Sequence, residues 1–144
     1  MPSNAEHLRA WLLGCGAIDA SAPIGLDWQS GAPGGYALIA LPTALRVREN
    51  ILGKVSLRET QEEDFLFASR EPCGADTAQN LSNAALYRAV TEWILGQNAR
   101  GNLPAWEGGA VTGVLPSVTA APLAWEPGLA RYGVRIRVIY KTDA

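Results

Sequence analysis

The chain has 144 residues, a length that fits a single domain. Hydrophobic residues make up 48% and charged residues 18%, which supplies a core and excludes a disordered polyelectrolyte. The net charge of −2 excludes nucleic-acid binding by bulk charge, so any such contact needs a local basic patch.

Ser3 and Glu6 have the spacing of a capping box. Ala5, Leu8, Trp11, Leu12 and Cys15 then share one face of a short helix, which Gly14 and Gly16 end. No basic segment followed by an apolar run opens the chain, and no stretch reaches the ~20 apolar residues of a membrane span. The expectation is no membrane partner and a cytoplasmic location, or a particle assembled there.

Ile24 to Trp28 reads as a short strand and Tyr36 to Leu41 as a better one. The Gly/Pro turn between them suggests a hairpin. Thr43 to Asn50 is ambiguous. Lys54 to Thr60 alternates, with Val55, Leu57 and Glu59 against Lys54, Ser56, Arg58 and Thr60. Gln61 to Asp64 reads as a solvated acidic turn into a strand at Phe65, giving a second hairpin that projects as an arm.

From Asp64 to Ile94 the chain reads as strand, turn and long helix. Phe65 and Phe67 share a strand face, and Pro72, Gly74 and Asp76 break it. The helix runs from about Thr77 to Asn98, with Leu86, Ala89, Val90, Trp93 and Ile94 on its apolar face. Val111 to Thr119 is strand-like, and Pro116 places it at an edge or a bulge. Ala120 to Gly128 reads as a loop with an apolar Trp125. Leu129 to Lys141 is the cleanest strand. This order argues an α+β fold: an antiparallel sheet of about four to six strands, two helices on one face and a projecting β-hairpin.

Phe65-Leu66-Phe67-Ala68-Ser69-Arg70-Glu71, then Gly74, Asp76, Asn80, Asn83, Trp93-Ile94 and Leu103-Pro104, resembles a family of long-tailed bacteriophage proteins. The family comprises tail terminator or minor capsid proteins. The likeness reaches more weakly to Ala130-Arg131-Tyr132, so it covers over half the chain. The family has an aromatic residue before the glycine, where this sequence has Cys73. The resemblance implies a ring, typically a hexamer, that caps the tail tube, ends its growth and meets the head connector protein. It implies a place in the virion and an axial passage for DNA, without sequence reading. It implies no catalysis and no cofactor.

The residues themselves carry no catalytic pattern. His7 is the single histidine and falls on the outer face of the first helix. There is no GxSxG elbow, P-loop, HExxH or zinc-ligand cluster. Cys15 and Cys73 have no metal-ligand spacing. Ser69-Arg70-Glu71 reads as a polar corner at the strand end. The last strand is more informative. Tyr132, Val134, Ile136, Val138 and Tyr140 form an apolar face, against Arg131, Arg135, Arg137 and Lys141 on the other. That second face suits a DNA channel, an acidic neighbouring subunit or plain solvent. Candidate subunit contacts are Leu57, Glu59, Glu62, Glu63, Trp106 and Trp125. The competing functions are a head-completion or minor capsid protein, a related structural protein of a prophage or contractile device, and an enzymatic or small-molecule-binding α+β domain.

Overall fold

The computed structural model describes residues 3–18, 24–26, 36–72, 77–116, 121–126 and 129–143. Of these, 26, 69–72, 77–84, 121–126 and 129–132 are described by backbone alone. Cys73, Gly74 and Asp76 lie outside the described residues, as do the side chains of Ser69, Arg70, Glu71, Asn80 and Asn83.

Helix α1 (Asn4–Leu12) starts as expected: the Ser3 hydroxyl accepts from the Glu6 amide at 3.3 Å. Leu8, Leu12 and Cys15 are buried. The strands are β1 (Ile24–Leu26), β2 (Tyr36–Ala40), β3 (Val47–Glu49), β4 (Val55–Leu57) and β5 (Thr60–Pro72). Helix α2 (Thr77–Arg100) follows, then β6 (Gly109–Pro116), β7 (Ala121–Glu126) and β8 (Leu129–Thr142). The fold is α+β.

Long strands β5 and β8 pair antiparallel over their whole length and form the centre of the sheet. The order is β1-β2-β5-β8-β6, with β7 pairing the first half of β8. Four expectations change here. β1 and β2 pair in parallel, so they are not a hairpin. Gln61 to Asp64 is not a turn but part of β5, because β8 offers it partners from Leu129 to Lys141. The hairpin is therefore β3–β4, and its turn is Asn50 to Lys54. Ala121 to Glu126 is a strand, not a loop. The edge position expected from Pro116 holds: among the described residues β6 pairs with β8 alone, and its irregularity lies away from Pro116, between Val111 and Gly113.

Period-two alternation puts Phe65 and Phe67 of β5 beside Ile136 and Val134 of β8, with Leu38 of β2 and Val114 of β6 on the same face. Both helices cover this face. Leu8 and Leu12 of α1 and Tyr87, Val90 and Ile94 of α2 join the same cluster. Each fully buried side chain of this size contributes ~1.5–3 kcal/mol. The α2 face is rotated from the expected one. Its centre runs through Tyr87, Val90, Ile94 and Gln97, all buried. Ala89 is exposed, lying about 120° around the helix from that centre. Trp93 flanks the face and is half-buried, its ring 4.7 Å from that of Trp11.

Polar side chains fix the layers to each other. The Asn98 amide on α2 accepts from the Val114 amide at 2.8 Å and donates to the Val114 carbonyl. Asn4 accepts from the Glu107 amide at 2.7 Å, and Trp11 Nε1 donates to the Asn102 carbonyl at 3.0 Å. Among the described residues, no helix is long and apolar enough to cross a membrane.

Candidate functional site

The β3–β4 arm leaves the sheet between β2 and β5. Asn50 shapes its turn: its side-chain oxygen accepts from the Leu52 and Lys54 amides at 2.9 and 3.0 Å. Gly53 adopts φ 78°, the left-handed conformation that favours glycine. The turn holds Ile51 and Leu52 at the tip, 100% and 88% exposed.

Alternation divides the arm into two faces. Leu45, Val47, Val55 and Leu57 lie on one, all exposed, with Glu49 beside them. Arg46, Arg48, Ser56 and Arg58 lie on the other. Cross-strand pairs of valine and leucine explain why the ribbon forms, but a two-stranded ribbon alone is marginal in water.

Its foot is clamped by Gln61, which is 1% exposed. The Gln61 side-chain oxygen accepts from the Arg46 amide at 2.8 Å. Its nitrogen donates to the Arg46 and Arg58 carbonyls at 2.7 and 3.0 Å. One buried amide thus holds both strands of the arm against β5. Thr43 adds a bond, accepting from the Asp64 amide at 3.2 Å.

The acidic candidates are committed within the chain. Glu62 meets Arg46 at 2.9 Å and Arg137 at 3.6 Å. Glu63 accepts from the Tyr140 hydroxyl at 3.4 Å. Glu59 lies 3.6 Å from Lys141, and its carbonyl accepts from the Thr142 amide at 2.9 Å. Glu62 and Glu63 therefore brace the sheet and do not form a projecting turn. Leu57 is exposed on the arm, as expected.

Trp106 is buried, not exposed as a subunit contact. Its ring sits 6.0 Å from Phe65, edge to face, and 5.9 Å from Tyr140. Sequence neighbours Pro104 and Glu107 gave no sign of this. The backbone of Trp125 in β7 pairs with that of Ala130 in β8, while its side chain lies outside the described residues.

On the outer face of β8, Arg137 and Lys141 have carboxylate partners. Arg137 Nε reaches Asp64 at 3.0 Å across the β5–β8 ladder. The Asp64 hydrogen bond, then the Asp64 and Glu62 charges, raise the Arg137 pKa further above its ordinary value. Arg135 is exposed and has contacts of its own. Arg131 lies in β8 with its side chain outside the described residues. Among the described residues, no group of three or more His, Cys, Asp or Glu is placed to hold a metal ion.

A cleft of about 410 Å³ opens at the foot of the arm, lined by Arg46, Arg48, Arg58, Glu59, Thr60 and Glu62. It is polar and open to solvent.

No protein-family model matches the sequence, and no curated protein is significantly similar to it. One solved structure shares 14% identity, covering 96% of this chain and 89% of its own, with a TM-score of 0.43.

Proposed function

We propose that this chain is a structural protein of a long-tailed phage particle. It caps the tail tube as a ring, of six copies as the family resemblance implies, and its action is assembly, not catalysis. It ends tube growth and presents a surface to the head connector, leaving a passage for DNA.

The observation that carries this reading is the arm. It exposes Leu45, Val47, Ile51, Leu52, Val55 and Leu57 together. A monomer gains nothing from this patch and is exposed to aggregation, whereas a neighbouring subunit would bury it. Ring closure needs such a heterologous contact, one surface meeting a different surface on the next copy. The sequence resemblance supplies the particle in which the ring sits. A head-completion protein would use the same arm at a different junction.

The test is to add the purified protein to growing tail tubes and image them by electron microscopy. The proposal expects density closing one tube end and tubes that stop lengthening. Uncapped tubes of unchanged growth, with a monomer throughout by light scattering, would overturn it.

A further inference from the structure

The face of the arm opposite the apolar one has a distinct chemistry. The Arg58 amide bonds to the Arg46 carbonyl at 3.0 Å, so these two arginines sit opposite each other across the ribbon. Like charges so placed are destabilising unless an anion lies near. Arg46 is neutralised by Glu62, itself shared with Arg137. Glu59 is engaged by Lys141. Arg58 Nε donates to the Val47 carbonyl at 3.3 Å and has no carboxylate partner among the described residues. The Arg48 side chain has neither a hydrogen-bond nor an ion-pair partner among the described residues. Lys54 falls on this face by alternation, and Glu49 falls on the other. The result is a row of cations on a narrow ribbon, with the cleft of about 410 Å³ at its foot.

We infer that the face bearing Arg48, Lys54 and Arg58 is a binding site for the phosphate backbone of duplex DNA. Arg58, Arg48 and Lys54 stand at three successive rungs of the ribbon, opposite Arg46, Ser56 and Asn50, so their charges run along it from foot to tip, a path that a polyanion can follow. Planar guanidinium groups donate in pairs to phosphate oxygens. Contacts to phosphate carry no sequence information, so binding of this kind depends on charge and not on sequence. An acidic protein partner would meet these same cations as discrete pairs, without a requirement for their regular spacing.

The test uses the full chain and a labelled duplex of about 30 base pairs, with anisotropy read from low to moderate salt. Two to three free cations give a slope of log affinity on log salt of about −2 to −3. Arg48→Gln should make that slope shallower by about one and weaken binding about eightfold at 0.1 M salt. Arg88→Gln removes an equal charge from the exposed face of α2, where Arg88 pairs with Glu92, and should leave binding unchanged. Unfolding midpoints should stay at the wild-type value for both variants. No binding at low salt, an equal loss in both variants, or preference for a poly-glutamate competitor over DNA would each overturn the inference. Because this readout needs no tail or ring, it stands or falls separately from the capping reading.

Discussion

Gln61→Leu probes how the arm is held. Leucine keeps much of the buried volume but removes three hydrogen bonds, of 2.8, 2.7 and 3.0 Å. The Arg46 carbonyl keeps a donor, the Arg58 amide. The Arg46 amide and the Arg58 carbonyl lose their side-chain partner. A net bond is worth ~1 kcal/mol, and each orphaned group costs ~1–3 kcal/mol when water cannot reach it. The foot of the arm is part-buried, so a total of about 2–4 kcal/mol is expected. Native-state hydrogen exchange reads this locally. Protection of the Arg46 amide and of the β3–β4 ladder should fall about 30-fold or more, with a smaller change at Val134 and Ile136 in β8. Wild-type protection in the arm of a folded Gln61→Leu protein would refute the clamp.

Other outcomes follow from the same packing. Tyr87→Ala should cost ~3–5 kcal/mol in urea unfolding, and Trp93→Ala less, because Tyr87 is fully buried and Trp93 only partly. Equal losses would mean that the α2 face is rotated back toward Trp93. Burial, then the Glu63 charge and hydrogen bond, raise the Tyr140 pKa above 10.0. The folded state then holds its proton more tightly than the unfolded one. This contribution to stability is full below pH 10.0 and is lost as pH rises through the folded value. Tyr140→Phe should flatten the alkaline fall of the unfolding midpoint, and an unchanged slope would exclude Tyr140 as its source.

The sheet was legible where one face is apolar without interruption. Val134 to Tyr140 and Phe65 with Phe67 alternate cleanly, so strand, face and helix cover all followed. The acidic run from Glu62 to Asp64 was misread because local charge favours a turn. Its strand state comes from pairing with β8, and its carboxylates meet Arg137 and Arg46, 73 and 16 positions away from their partners in sequence. No local rule carries that information. For the same reason the arm was assigned to the wrong pair of strands, although Leu57 and its exposure were anticipated. Gln61 gave no signal at all. A glutamine beside acidic residues looks solvated until the fold places two strand ends against it. Trp106 was a candidate subunit contact, yet in the single chain it closes the core against Phe65 and Tyr140. The parallel pairing of β1 was hidden because a Gly/Pro-rich connection signals a reversal of direction only when it is short.

The central claim is that the apolar face of the arm joins neighbouring copies at the end of the tail. The direct measurement is the tail-length distribution, by electron microscopy, of particles carrying Leu57→Asp in the arm. Leu57 is 46% exposed and makes no contribution to the core cluster, so the variant should fold with a near-wild-type unfolding midpoint. The account predicts overlong or headless tails from a folded variant. Tails of normal length joined to heads would contradict it.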